Sequence, residues 1–374
     1  MRGQSRLAEH EVVLAEIVSI ARSEAVDIVL VAGDLYETPA PAPEATALVL
    51  RTLLDLRATG AHVVAIAGNH DNALAFEALR PLAAEAGIVM RGRLARPDEG
   101  GLVELRSRAG ERVRIAVVPF CSQRSIIRGA ELLAGNAATN AGTYAERMRH
   151  VLAGLTASFT PDAVNLVVAH CMVRGGRLGG GERDAQSIED YWIDATSFGG
   201  TPHYVALGHL HLAQQLPGVC PIWYCGSPLQ VDFGEEGDGK HVLIVEAAPG
   251  VPASTPRRVP LSTPRRLHTL RGTLAELQAM VGETGDELLR IYVSGQVRAG
   301  LAEEVRSIFA NAVDVIVEGS GADPGTGRPR EVRPTGPAQL FGAFLESRGV
   351  DDPRLAQLFA RLLDEQTAGE AVPG

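Results

Sequence analysis

Short apolar runs that each stop at a polar turn, separated by stretches with helical spacing, constrain this chain most. Asp27 to Ala32 is a compact apolar run closed by Gly33, the pattern of a strand buried on both faces. His62 to Ala67 repeats it and closes on Gly68, and Arg112 to Pro119, Asn165 to Ala169 and Tyr204 to Leu207 follow. Residues Leu7 to Ser23, Glu44 to Thr59 and Leu74 to Ala86 carry apolar side chains at helical spacing. Thr38 to Pro43 reads as a loop, and Gly135 to Arg149 as a loop and a helix. Strand and helix in alternation predict α/β layering. Ile222 to Cys225 and His241 to Glu246 alternate like antiparallel strands near a sheet edge.

The composition then shifts. Pro249 to Pro264 is rich in Pro, Ser and Arg and reads as a connection, which bounds a main body at residues 1–250. A small α+β unit at 265–318 is expected beyond it, with helices at Leu274 to Val281 and Leu301 to Ala310 and strands at Leu288 to Ser294 and Ala312 to Val317. Residues 319–337 are Gly- and Pro-rich and read as a linker. A helix pair at 338–366 ends the pattern. Leu340, Phe341, Phe344 and Leu345 line its first helix, and Asp351 or Asp352 can cap the second, with Pro353 in its first turn. Leu355, Leu358, Phe359, Leu362 and Leu363 form a stripe too broad for so short a pair to bury internally. Packing on the protein's own body is one outcome; docking of a partner helix is the sharper expectation.

Charge and cysteine usage narrow the class. A net charge of −10 argues against binding nucleic acid through a broadly basic surface, though not against a local groove or a metal that binds phosphate. Four cysteines, Cys121, Cys171, Cys220 and Cys225, include no C-x-x-C pair and are expected as reduced thiols. No apolar run is long enough to span a bilayer, and Met1 to Glu11 lacks the apolar segment of a signal peptide, so a cytoplasmic protein is expected.

The chemistry lies at the strand ends. Asp34 follows the first run, Asn69 sits in Gly68-Asn69-His70-Asp71, His170 follows Val167-Val168-Ala169, and Gly208-His209-Leu210-His211 closes the Tyr204 run. Any one of these alone is more often a turn residue or a hydrogen-bonded histidine. The ordered set is what a two-metal phosphoesterase requires, because two ions ~3.5–4 Å apart neutralise the phosphate, activate water and stabilise the leaving oxygen. Asp34 is the expected bridge, and Asn69, His170 and His209 complete one ion. His211 turns to the other if the segment is extended, since residues i and i+2 then share a face. Mixed imidazole, amide and carboxylate ligands suit Mn(II) better than a thiolate-type zinc site. His70, next to a ligand, is the expected general acid, oriented by Asp71.

These motifs resemble the calcineurin-like metallophosphoesterase superfamily, and within it the SbcD-type (Mre-type) DNA nuclease subunits. Val31-Ala32-Gly33-Asp34-Leu35-Tyr36-Glu37, Ala67-Gly68-Asn69-His70-Asp71, the stretch Tyr224 to Glu236 and the Leu340 to Leu363 helices carry the likeness. The resemblance implies a metallophosphoesterase sandwich with a small capping domain and a C-terminal helix pair that grips an SbcC-type coiled-coil ATPase. It implies two Mn(II) ions, with Mg(II) as the substitute, and a homodimer of nuclease subunits near the nucleoid. It also implies exonuclease action on duplex ends and endonuclease action on single strands and hairpins, in DNA repair, recombination and replication. Family members begin with a strand ending in Asp-x-His, whereas Met1-Arg2-Gly3 looks like the loop after that motif, so the second ion is expected to keep only Asp34 and His211 from this chain. Two alternatives follow: a weakly active or inactive scaffold that docks the ATPase, and a small-nucleotide phosphodiesterase.

Overall fold

The computed structural model describes residues 5–134, 142–180, 182, 191–251, 253–262, 265–319, 341, 344–345 and 352–368. The first half alternates as the apolar runs require. Leu7–Ser23 (α1), Ile28–Val31 (β1), Pro43–Ala58 (α2), His62–Ile66 (β2), Ala73–Glu85 (α3) and Ile88–Arg91 (β3) build a parallel sheet in the order β1-β2-β3. Helix α2 starts with Pro at its first position, where no N–H is missed. Asn72 caps α3, its Oδ1 accepting from the Leu74 and Ala75 amides.

The next elements are Leu102–Arg106 (β4), Arg112–Val118 (β5), Gln123–Ala134 (α4), Tyr144–Thr156 (α5) and Ala163–His170 (β6). Met172–Val173 (β7) pairs with Trp192–Ile193 (β8). Tyr204–Gly208 (β9), Gln214–Leu216 (β10) and Ile222–Tyr224 (β11) complete a six-stranded sheet in the order β10-β11-β9-β6-β5-β4. Its four central strands run parallel and both edge strands antiparallel.

Side-chain alternation makes this a four-layer sandwich. Val64 and Ile66 of β2 meet Val113, Ile115 and Val117 of β5 and Val164, Leu166 and Val168 of β6 between the sheets. The opposite face of β2, Val63 and Ala65, packs on Val18 and Ala21 of α1, Leu53 and Leu56 of α2 and Phe76 of α3. The opposite faces of β5 and β6 pack on Met148, Val151, Leu152 and Leu155 of α5. All eight residues of β6 are buried, so the strand can carry an unbroken apolar run up to its last residue, His170.

Two expectations need correction. All four residues of β1 are only half-buried, not buried on both faces, because among the described residues β1 pairs along one edge alone, with β2. Ile222 to Cys225 does not alternate in burial: all three residues of β11 are buried, one place in from the sheet edge, parallel to β9 and antiparallel to β10. Strand β11 joins the central sheet, while His241–Ile244 (β12) pairs with Arg257–Pro260 (β13), which lies inside the stretch read as a connection. Proline in β13 is tolerated because β13 belongs to a ladder of two strands, with no third strand needing its N–H.

Leu267–Thr273 (β14), Leu274–Ala279 (α6), Leu288–Gly295 (β15), Leu301–Ile308 (α7) and Ala312–Gly319 (β16) form a separate parallel sheet, β14-β15-β16, with its own apolar core around Leu277, Ile291, Val293 and Val305. It meets the main body through Phe233 against Leu267 and Leu288, and through Arg265, whose guanidinium is 2.6 Å from Glu9 of α1. The linker expected at 319–337 falls outside the described residues from 320 onward, as does most of the first C-terminal helix. The second helix is Pro353–Ala368 (α8), and Asp352 Oδ1 accepts from the Arg354 amide at its start. The four cysteines are unpaired thiols, three of them buried. No helix among the described residues is long and apolar enough to cross a membrane.

Candidate metal centre

Four of the predicted ligands converge at the carboxyl ends of parallel strands, where open α/β sheets place their ligand sites. Asp34 lies in the turn after β1, Asn69 in the turn after β2, His170 ends β6 and His209 directly follows β9. His170 Nε2 is 2.8 Å from Asn69 Oδ1 and 3.3 Å from Asp34 Oδ2. His209 Nδ1 is 2.7 Å from Asn69 Oδ1 and 3.2 Å from His170 Nε2. Ligand atoms this far apart suit an ion that takes N and O donors at ~2.0–2.2 Å.

The backbone is bent to achieve this. Asp34 has φ 55° and His209 has φ 103°, both in the region that favours glycine, at a cost of roughly 1–3 kcal/mol each. Neighbouring glycines let the turns touch. A Cβ at Gly68 would overlap Asp34 Oδ1, and one at Gly208 would overlap the Ala32 carbonyl oxygen.

Hydrogen bonding fixes the tautomer of His170. His170 Nδ1 is 2.7 Å from the Ala32 carbonyl, which can only accept, so Nδ1 carries the proton and Nε2 faces the centre. In the neutral ring Nε2 is then a lone pair facing the acceptor oxygens Asn69 Oδ1 and Asp34 Oδ2, with His209 Nδ1 beside it. Asn69 Nδ2 and His209 Nε2 are buried without a hydrogen-bond partner among the described residues. Converging acceptors fit a cation, which would take the place of the proton that His170 Nε2 otherwise shares with Asp34.

The electrostatics agree. Burial alone would raise the Asp34 carboxyl, but the charge and hydrogen bond of His170, with His70 and His209 beyond, hold it well below the usual carboxylate range. Burial would lower His170, and the Asp34 charge and hydrogen bond overcome it and raise His170 above 6.5. Burial, then the neighbouring His170 charge, pushes His209 down to about 3. His209 is therefore a neutral imidazole throughout the neutral pH range.

Two predicted residues sit differently from expectation. Asp71 does not hold His70. Its carboxylate accepts from the amides of Gly68, Leu35 and Tyr36 at 2.8, 3.2 and 3.0 Å, clamping the Asp34 turn to the Asn69 turn. Burial, then the Asp34 charge, pushes Asp71 up to about 6. Its two-residue offset from Asn69 carries it into the turn, away from the imidazole. His70 instead donates from Nδ1 to the Glu37 carbonyl at 2.9 Å, and its amide donates to Asp34 Oδ1 at 2.9 Å.

His211 is not part of the converging cluster of Asp34, His170 and His209. The extended geometry assumed for His209 and His211 is absent, because β9 ends at Gly208 and the chain bends at His209. The His211 ring is held by Glu235, with Nδ1 to Oε1 at 3.1 Å, and its amide donates to Glu182 Oε1 at 3.0 Å. Glu235 in turn pairs with Lys240 at 2.6 Å. Sequence reasoning assigned no role to Glu182, Glu235 or Lys240. A signal for the last was available: Lys240 is the single lysine in the chain.

Residues 9–119 match the sequence profile of the calcineurin-like phosphoesterase family. The chain is 33% identical over 258 residues to the SbcD component of the SbcCD nuclease of Bacillus subtilis (strain 168), covering 68% of this chain and 64% of that protein. The Escherichia coli (strain K12) protein of the same name is 29% identical over 309 residues, covering 76% of this chain and 70% of its own length. That of Rhodobacter capsulatus is 33% identical over 272 residues, covering 70% and 65%. The chain thus spans slightly under two-thirds of the Bacillus and Rhodobacter relatives. It carries a calcineurin-like metallophosphoesterase domain and is homologous to the SbcD components of SbcCD nucleases.

Proposed function

We propose that this chain is the nuclease subunit of an SbcCD-type complex and hydrolyses DNA phosphodiesters with divalent ions, Mn(II) foremost, in DNA repair and recombination. One observation carries the reading: four ligand atoms from four separate strand ends meet at 2.7–3.3 Å around one point. Asp34, Asn69, His170 and His209 would hold one ion, and Asp34 with His211 would contribute to the other. Bound ions would neutralise the phosphate and make water a nucleophile at neutral pH.

The chain's own residues supply the rest. His70 has Nδ1 committed to the Glu37 carbonyl, so Nε2 is the atom that exchanges a proton. We assign it the proton that goes to the departing oxygen. Asp71 acts at one remove, as the clamp that keeps the Asp34 and Asn69 turns in register. The acidic balance of the chain leaves much of the DNA grip to a partner, because phosphate contacts dominate such affinities.

Helix α8 supports an SbcC-type partner. Leu355, Leu358 and Leu362 are 38%, 40% and 47% exposed and recur at helical spacing, while Phe359, at the border of the same stripe, stacks on Phe341 at 4.2 Å. Such a stripe suits helix-in-groove docking. Leu358→Arg is expected to abolish co-purification of the ATPase and leave hydrolysis of bis-(p-nitrophenyl) phosphate unchanged; retained co-purification removes α8 from the interface.

The test of function is reconstitution with the ATPase. Shortening of linear duplex DNA that needs both Mn(II) and ATP is expected. Hydrolysis of the small diester with no DNA cleavage would instead assign a small-nucleotide phosphodiesterase. Binding of the ATPase by folded protein, with neither substrate cut at high Mn(II), would assign a scaffold.

A further inference from the structure

The chain's 35 Lys and Arg residues include one lysine, Lys240, and it is buried. Its ammonium lies 2.6 Å from Glu235 Oε2, 3.2 Å from Asp238 Oδ2 and 3.3 Å from the His211 carbonyl oxygen. Three acceptors arranged around a point suit a compact ammonium and not the planar fork of arginine. The side chains of Lys240 and Glu235 are 2% and 0% exposed. A buried ion pair gives little net stability over an apolar pair of similar volume, so stability alone does not explain this one.

Its geometry does. Glu235 Oε2 is occupied by Lys240, by the Ser227 hydroxyl at 3.0 Å and by the Val231 amide at 3.3 Å. That leaves Oε1 turned to His211 Nδ1. A carboxylate has no proton to give, so Nδ1 carries it, and Nε2 becomes the only lone pair the His211 ring can offer. The segment bearing Glu235 is itself anchored. Gln230 Nε2 donates to the carbonyls of Glu235 and Asp238, Gln230 Oε1 accepts from the Leu267 amide of β14, and Phe233 packs on Leu267 and Leu288.

We propose that Glu235, anchored by Lys240, is a positioning residue that locks His211 in the Nδ1–H tautomer and so presents Nε2 to a metal ion. The proposal rests on the metal-centre reading above. Carboxylate partners of this kind typically change metal affinity 10- to 100-fold.

Two double variants of the full chain separate positioning from stability. Both E235Q/K240M and E235L/K240M remove the buried charges, but only the second removes the acceptor for His211 Nδ1. In ¹⁵N-histidine-labelled protein, His211 is expected as Nδ1–H in the wild type and in E235Q/K240M, and as a tautomer mixture in E235L/K240M. Titration with Zn(II) alone, a diamagnetic probe, is expected to shift His211 Nε2 in the first two proteins. In E235L/K240M the same shift should need a 10- to 100-fold higher concentration. An unchanged tautomer and an unchanged titration in E235L/K240M overturn the role of Glu235. A wild type whose His170 and His209 nitrogens never respond to Zn(II) overturns the metal-centre reading itself. Loss of the tautomer in E235Q/K240M as well reduces the pair to a structural one.

Discussion

The two sides of the candidate centre use the same ligand type in opposite states. On one side Asp34, Asn69, His170 and His209 crowd their acceptors together, with Asn69 Nδ2 and His209 Nε2 buried and unsatisfied and two residues held at positive φ. On the other, His211 is already tied through both its ring and its amide, and the carboxylate that holds it is itself saturated. On the first side the acceptors crowd one point, so a bound cation would stabilise the fold there. The second is satisfied without one, so it orients a ligand in advance and gains little folding energy from binding. A metal centre built this way would place strain where an ion has most ligands and preorganisation where it has few.

Removing the anion from the crowded side should have the largest effect. Asp34→Asn keeps a residue type that tolerates positive φ and can still accept from the His70 amide. Its new amide group can donate to His170 Nε2, filling the gap a cation would fill. Ion affinity is expected to fall more than about a hundredfold, beyond what outer partners cost, while thermal stability without metal holds or rises. Calorimetric titration with Mn(II) and a melting curve measure both, and a variant that binds Mn(II) like the wild type would show that the crowding is not a metal site. His70→Ala comes next. It leaves the ligand atoms in place, so Mn(II) binding should persist while DNA cleavage falls by about 10²–10⁴-fold, the usual worth of a general acid. Wild-type cleavage by this variant would take His70 out of the chemistry.

The pH dependence discriminates between ligands of the crowded side itself. The folded-state value of His170 is raised, so its contribution to stability is complete below 6.5 and is lost as pH rises through that raised value. A metal ion must expel the same proton, so apparent affinity should increase with pH through this window, up to about tenfold per unit for one proton. His209, pushed down to about 3, is already neutral and releases nothing. Mn(II) should therefore raise the melting temperature more at pH 8 than at pH 6.5, a range that lies above the value of about 6 for Asp71. A shift that does not change with pH would mean that His170 is not the proton-linked ligand.

How much of this the sequence disclosed follows from which contacts are local. Asp34, Asn69, His170 and His209 were legible because each ends an apolar run, and a strand end fixes where the next side chain goes. Helix α1 was legible to the residue, since its periodicity and its polar flanks agree. The half-burial of β1 was not, because an apolar run records what a strand could bury and not how many neighbours it has. Strand β14 and strand β13, the partner of β12, were missed because Pro and Arg in or beside them mask a two-residue period. The orienting role expected of Asp71 and the extended segment expected through His211 failed for one reason: each was inferred from regular geometry across a turn, and the turn departs from it. Glu235 lies 24 residues from His211, and no local pattern ties a buried carboxylate to a ring at that separation. The lone lysine was the exception, a compositional signal visible without any geometry.

The smallest expected effect tests the satisfied side. Ser227 Oγ lies 2.8 Å from the Leu229 carbonyl and 3.0 Å from Glu235 Oε2, and its single proton serves one of them. Ser227→Ala removes one partner from a carboxylate that keeps Lys240 and the Val231 amide. The loss should be about 1 kcal/mol in unfolding free energy, the net value of one hydrogen bond, with no change in Mn(II) affinity. A urea melt and a metal titration on the same sample separate the two quantities. A tenfold loss of affinity at unchanged stability would mean that Glu235 is poised and not saturated, and the contrast between the two sides of the centre would fail where it is most easily measured.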